Sequence, residues 1–325
     1  MEQKSKNPVY LYLKDFLKAK IIPISVLVLM CIIAFIASPI FLSWVNIENL
    51  FVQAATTMLV SMGMLMVILT GGIDLSVGSI VALSGVMVAL LMQRVPLGIA
   101  ILASVLSGGV VGIVNGIFVS FVGIAPFIVT LGMQNLARGI AYWLCQSQPI
   151  PWFTFDNGAA FNELGSGRLG KIPYLVIIWI IVALITYIIL QHTVWGRIVY
   201  AIGGNKQAVR LSGIRSAYWA ILPYLYSGLC SGLAGVLLSA RLGVGAPTSG
   251  TSMETDAIAA VIVGGTSFNG GVGTVSGAII GVFIMAIIGN ILDLMNVQAY
   301  PQMMLKGVIL VAAVALSEIR EKNKS

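Results

Sequence analysis

Between Ile21 and Ser317 the sequence returns repeatedly to apolar runs of about 17 to 25 residues, the length a helix needs to cross roughly 30 Å of hydrocarbon. No other feature constrains the fold as tightly. A backbone in lipid must satisfy its own hydrogen bonds, which leaves helices or a closed barrel. The ten-residue alternating strands of a barrel are missing from the sequence, so the chain is expected to be an all-α polytopic membrane protein. Composition agrees: 58% of the 325 residues are hydrophobic and only 9% charged, against roughly a quarter charged in soluble domains.

Breaks of Gly, Pro and polar residues divide the runs into ten expected helices, near 21–42, 50–70, 76–92, 97–122, 125–145, 173–191, 217–240, 257–265, 275–292 and 300–317, the eighth being short. Basic residues give the sidedness. With the N-terminus inside, the inner segments hold Lys4, Lys6, Lys14, Lys18 and Lys20, then Arg197, Lys206, Arg210 and Arg215, then Arg320, Lys322 and Lys324. The outer segments hold only Arg94, Arg168, Lys171 and Arg241. Positive charge is retained on the cytoplasmic side, so both termini are expected inside. The net charge of +7 is thereby a topology signal, and nucleic acid is not an expected partner.

Three regions follow. Residues 1–20 form a cytoplasmic amphipathic segment, with Tyr10, Leu13 and Leu17 on one face and Lys14 and Lys18 elsewhere, suited to lie among lipid headgroups. Residues 21–317 form the transmembrane domain, with a central cytoplasmic loop at 192–216, and 318–325 are a cytoplasmic tail. The long outer segment 146–172, with "QSQPIPWFTFDNG", reads as an ordered loop of the aromatic belt.

Small residues recur at four-residue spacing, at Gly108, Gly112 and Gly116, at Gly228 and Gly232, and at Gly277 and Gly281, which lets helices approach closely in a membrane. Gly-rich breaks after apolar runs, "GGIDLSVG" and "GGTSFNGGVG", suggest an inverted internal repeat of the kind that frames a transport pathway.

Several chemistries lack their material. "GGTSFNGGVGT" has the glycines of a phosphate loop but not the lysine, so ATP hydrolysis is not expected in this chain. His192 is the only histidine, which leaves neither a zinc site nor a Ser-His-Asp triad. Cys31, Cys145 and Cys230 are far apart, without metal-binding spacing. No catalytic or metal residues are therefore assigned, and a membrane enzyme is a poor reading.

Charges inside the runs are few: Asp74, Arg138 and Lys306, each costing about 2.5–3.5 kcal/mol on insertion scales. In "TGGIDLSVGS", residues 70–79, Gly71 and Gly72 can end one helix while Asp74 or Ser76 caps the next. A helix break with capping is the favoured role for Gly71, Gly72 and Asp74. Arg138 and Lys306 are expected to pair with carboxylates or carbonyls. Candidate pathway residues, able to meet hydroxyls, are Asp74, Ser76, Asn115, Gln134, Phe268 and Asn269. A proton-coupled secondary transporter with Asp74 as relay is the alternative, and a channel filtered by residues 264–273 ranks below it.

The central loop "WGRIVYAIGGNKQAVRLSGIRSAYWAILP", 195–223, is basic and carries a helix-like piece from about Lys206 to Leu211, ended by Gly213. With "GGIDLSVGSIVALSG" (71–85), "YAIGGNKQAVRLSGI" (200–214) and "METDAIAAVIVGGTSFNGGVGTVSGAIIG" (253–281), the chain resembles the permease subunit of bacterial ABC monosaccharide importers of the ribose/xylose/galactose type, from about residue 50 to 317. The resemblance implies a protein of the bacterial cytoplasmic membrane. It also implies a second permease copy forming a homodimer, a cytoplasmic ABC ATPase that binds ATP and Mg, and an extracytoplasmic sugar-binding protein. No cofactor is implied in this chain. Gly203, Gly204, Asn205, Ala208, Leu211 and Gly213 resemble the coupling loop that sits in a cleft of the ATPase, although Gln207-Ala208-Val209 stands where the general signature has Glu-Ala-Ala.

Overall fold

The computed structural model describes residues 8–322, without the side chains of 8–20, of Ile22 and of a few residues at the C-terminal end. Its described residues form twelve α-helices: α1 (Pro8–Ala37), α2 (Trp44–Leu69), α3 (Val77–Leu91), α4 (Leu97–Ile117), α5 (Pro126–Leu144), α6 (Gly158–Ser166), α7 (Tyr174–His192), α8 (Val194–Leu211), α9 (Ser216–Leu242), α10 (Met253–Val263), α11 (Val275–Leu294) and α12 (Ala299–Lys322). Each of the ten expected helices coincides with one of these, and α6 and α8 are additional. The apolar face expected from Tyr10, Leu13 and Leu17, and the last residues of the tail, lie outside the described residues.

Boundaries move for local reasons. The first helix, expected to reach residue 42, stops at Ala37. Pro39 follows, and its ring disfavours helical geometry in the residue before it, so the chain turns through a short 3₁₀ segment, Pro39–Leu42. The eighth helix begins at Met253 rather than 257, with Glu254 and Asp256 in its first turn, where acidic side chains meet the positive end of the helix dipole.

Among the described residues, five helices are long and apolar enough to cross a membrane by themselves, and three shorter apolar stretches lie at Pro23–Ala37, Val77–Leu91 and Ala299–Ala315. The core is built on α2, in which every residue from Ala54 to Leu69 except Thr57 is buried. A helix that is apolar all round belongs inside a bundle, and Met58, Met62, Met64 and Met66 fill its surroundings with no exposed surface. The outer faces of α4, α7 and α12 leave residues such as Leu102, Leu184 and Val308 more than half exposed, as lipid contact requires. α4 and α9 cross through glycines: a Cβ on Gly112 would meet the carbonyl of Tyr224, and Gly108 faces Gly228.

Two helices are too short to span. α3 has 15 residues and α10 has 11, about 22 and 16 Å at 1.5 Å per residue. Each is completed by a non-helical re-entrant segment, 70–76 before α3 and 243–252 before α10. The second runs back along α3: a Cβ on Gly245 would stand 2.7 Å from the Cβ of Ala89, and one on Gly250 2.9 Å from that of Val81. The two short helices therefore meet at their N-termini, with Gly78 against Gly250 and Glu254. α2, which precedes the first re-entrant segment, and α9, which precedes the second, are antiparallel: Gly63 packs on Ser227 and Gly72 on Tyr224. By element order the counterpart of "GGIDLSVG" is thus 243–252. "GGTSFNGGVG" instead packs beside "GGIDLSVG", with Gly271 N donating to Leu69 O at 2.9 Å.

The outer segment is an ordered loop with α6 and two small antiparallel pairings, β1 (Ile150–Pro151) with β4 (Val244–Gly245) and β2 (Arg168–Leu169) with β3 (Ile172–Pro173). Its tryptophan is not in an aromatic belt. Trp152 is 1% exposed, donates from Nε1 to Ser239 O at 3.0 Å and meets Phe161 edge to face. A buried indole needs a partner for its N–H, and the end of α9 supplies it. Phe153 is the ring left outside.

Candidate functional site

Asp74 is fully buried and accepts from three elements. Its Oδ1 receives the backbone N–H of Ser76 at 3.0 Å, the Ser76 hydroxyl at 2.6 Å and Asn115 Nδ2 at 3.4 Å. Its Oδ2 receives the Ser227 hydroxyl at 2.8 Å. Asn115 Nδ2 also donates to Ser76 Oγ at 2.8 Å. The expected capping takes a different form: α3 starts at Val77 and its N-cap residue is Ser76, whose side chain makes no capping bond. Asp74 instead folds the re-entrant segment over its own carboxylate, in an Asx turn, and ties it to α4 and α9. Asp74, Ser76 and Asn115, three of the six expected pathway residues, are 0% exposed and together, so none of them borders open space. Nothing in this sealed cluster supports Asp74 as a proton relay.

Phe268 and Asn269 lie elsewhere, in the loop between α10 and α11 on the expected cytoplasmic side. There the end of α2, that loop and α8 converge. Gly71 turns the chain out of α2 at φ 76°, in the left-handed region open to glycine, and a Cβ on it would stand 3.3 Å from Asn269 O. Tyr200 donates its hydroxyl to Gly273 O at 2.9 Å. Gly203 packs so closely that a Cβ would strike both Leu69 O and Gly271 N.

α8 breaks at Asn205, whose backbone is extended at φ −162° and ψ 94°. The Asn205 side chain then accepts from Ala208 N at 2.9 Å, starting the short helical piece expected from Lys206 to Leu211, and Gly213 ends it at φ 79°. This piece stands out from the bundle, with Leu211 86% exposed. Beside it lies a groove of about 700 Å³ bordered by Lys206, Arg210 and Arg215.

A third polar group lies where the two short helices meet. Arg138 on α5 donates from one terminal nitrogen to the carbonyls of Pro247 and Ser249, both at 2.7 Å. Gln134, one turn earlier, donates to Glu254 Oε1 at 3.3 Å, while Glu254 Oε2 has no partner. Lys306 on α12 pairs with Asp256 at 2.8 Å. The carbonyl and carboxylate partners expected for Arg138 and Lys306 are thus identified. Gln134 is separated from the other expected pathway residues and joined to Glu254, in the first turn of α10. Glu254 and Asp256 precede the apolar run, so the helix expected at 257–265 begins after them. The signal available was a pair of acidic residues in one first turn, which marks a helix start.

The family model described as "Branched-chain amino acid transport system / permease component" matches residues 46–314. Over 284 residues the chain is 41% identical to the D-allose transport system permease protein AlsC of Escherichia coli strain K12, covering 87% of this chain and 86% of that one. The ribose import permease protein RbsC of Bacillus subtilis strain 168 is 40% identical over 303 residues, 93% and 94% of the two chains. The galactose/methyl galactoside import permease protein MglC of E. coli K12 is 34% identical over 330 residues, 95% and 96% of the two. No solved structure matches the chain significantly. A bundle of membrane-spanning length with paired re-entrant helices, matched over most of its length, belongs to the family of branched-chain amino acid transport system / permease components.

Proposed function

We infer that this chain is the permease subunit of an ATP-driven importer that moves a monosaccharide of the ribose, allose or galactose kind across the bacterial cytoplasmic membrane by alternating access. The observation that carries the reading is the near full-length identity to three permeases whose names specify sugars. The family description names amino acids instead, and the relatives of 34–41% identity are the closer guide to substrate.

ATP and Mg belong to a partner in this reading. The Gly-rich loop 264–273 does not suit a nucleotide: it has no lysine, it is wedged between α2 and α8, and its Gly271 N–H is used by Leu69 O. An ATPase docks on the protruding piece of α8, around Asn205, Ala208, Leu211 and Gly213, with Gly203 and Gly204 behind it. A sugar-binding protein delivers substrate to the outer loops, and a second copy of the chain completes the pathway. Closure of the ATPase pushes α8, which bears on the end of α2 and on the loop after α10, and rigid helices rock about their glycine crossings.

The test is uptake of radiolabelled D-ribose, D-allose and D-galactose into proteoliposomes holding the chain with its ATPase and binding protein. ATP-dependent accumulation of one of these sugars is expected. Uptake that persists without the ATPase, uptake that collapses with a protonophore, or ATP-driven transport of leucine in place of sugar would overturn the reading.

A further inference from the structure

We propose that the groove between the protruding piece of α8 and the start of α9 receives carboxylates of the ATPase, so that the chain recognises its partner by charge as well as by shape. The inference rests on the ATP-driven import reading above and names the chemistry of its cytoplasmic contact. The groove, of about 700 Å³, is walled by residues from the stretch 206–217 and by Ser120 in the turn after α4. Three exposed cations, Lys206, Arg210 and Arg215, border it. Among the described residues none of the three is in an ion pair; the pairs that form are Arg168 with Glu48 and Lys306 with Asp256. The stretches of chain that build the groove hold no carboxylate, since no Asp or Glu stands between Asp74 and Asp156 or between Glu163 and Glu254. Gln207, at the position where the general signature has Glu, borders the groove too, so its walls carry positive charge alone.

Retention of cations on the inner side accounts for their sign, but two local features call for an anion at this place. Arg215 is the N-cap residue of α9, its side chain makes no capping bond, and the first turn of this 27-residue helix holds no acidic residue. A helix N-terminus is the positive end of the dipole, where a cation is disfavoured and a carboxylate favoured. The sequence therefore breaks a local rule here, as functional sites do, and an anion set between Arg215 and the first turn restores it. Ser216 is the second feature. It is only 9% exposed and borders the groove, and among the described residues its hydroxyl has no hydrogen-bond partner. Buried polar groups are normally bonded, and this one is free to donate to an oxyanion.

A protein carboxylate suits the groove better than a lipid phosphate. Ile214 is the only large apolar side chain on its wall, so the wall offers an acyl chain little to lie against. Through Lys206 and Arg210 the groove is also continuous with the piece of α8 on which the ATPase docks in the reading above. An acidic rim on the ATPase cleft then meets three guanidinium and ammonium groups, one hydroxyl and a helix N-terminus together.

The test is the affinity of the purified full-length chain for its ATPase, measured in nanodiscs. Raising NaCl from about 50 to about 500 mM is expected to weaken binding about tenfold, as screening of interfacial charge pairs requires. Arg210→Glu and Arg215→Glu are each expected to weaken it about tenfold at the lower salt. Arg210→Gln, which removes the charge without reversing it, should fall between Arg210→Glu and the wild type. Arg197→Glu alters an exposed cation of the same helix outside the groove, and should change the affinity about twofold at most. Binding that ignores salt, or that Arg197→Glu weakens as much as Arg215→Glu does, overturns the groove, because the cations then act through topology or a general field. Affinity that follows the phosphatidylglycerol content of the nanodisc and not the charge of the groove gives the site to lipid and overturns it as well. A wild-type chain that binds no ATPase at either salt overturns the functional reading itself.

Discussion

Asp74 receives four hydrogen bonds from Ser76, Asn115 and Ser227 and stands fully enclosed. Its service is as an acceptor, and that distinguishes its substitutions. Asparagine keeps one acceptor oxygen, and the Ser227 hydroxyl can rotate to accept from the new amide. Alanine takes the acceptor from the Ser76 and Ser227 hydroxyls in a buried space, at about 1–3 kcal/mol for each unpaired donor. Asp74→Ala is therefore expected to lower the thermal midpoint of the purified protein well below that of Asp74→Asn, and equal losses would show that charge, not acceptance, is what the site needs. The sequence displays part of this. Two glycines before an isolated carboxylate read as a helix break, and they are one. Asn115 and Ser227 could not be read as its partners, since they lie 41 and 153 residues away and contact at that separation leaves no local pattern. Glu254 escaped for the opposite reason: its helix starts before its apolar run does, so periodicity placed the boundary too late.

At the scale of helices, length and hydrophobicity located all ten apolar elements, because a membrane leaves the backbone few alternatives. The first piece of α8 did not register because it lies outside the apolar runs. Its marks are subtler: Thr193 accepts from Gly196 N at 3.2 Å as an N-cap, and Ile198, Val199 and Ile202, spaced over one turn, are buried. The four-residue glycine spacing was legible as close packing, but not which helices would meet. α4 and α9 do, and their contact gives a clean comparison. Gly112→Val places a branched side chain where the Tyr224 carbonyl already stands, and should destabilise by about 1–3 kcal/mol or more, as overpacking does. Gly98→Ala, on the same helix with nothing within 4 Å, should change stability by roughly 0.5 kcal/mol or less. Thermal unfolding of the two variants in one detergent measures the difference, and similar midpoints would mean that the crossing yields by sliding.

For the molecule as a whole, the proposed function depends on how motion at the expected cytoplasmic surface reaches the middle of the membrane. The shortest route runs through backbone. α8 touches the end of α2, where the link to α3 begins, at Leu69 O and the link after α10 at Gly270, Gly271 and Gly273, and those two places are bonded to one another. The short helices they serve meet again at Gly78 and Glu254. Both re-entrant elements therefore feel one lever, and a push on α8 acts on them together. Gly203 is the tightest point of that lever, since no side chain fits between α8 and the end of α2. Gly203→Val should force α8 off the links without touching its protruding end, the proposed docking piece, which is set separately by the Asn205 break and the Gly213 turn. A complex carrying Gly203→Val is then expected to bind its ATPase yet import at least tenfold less sugar per ATP hydrolysed. Loss of ATPase binding in this variant would instead show that α8 is one rigid body, so that its inner packing and its docking end cannot be separated.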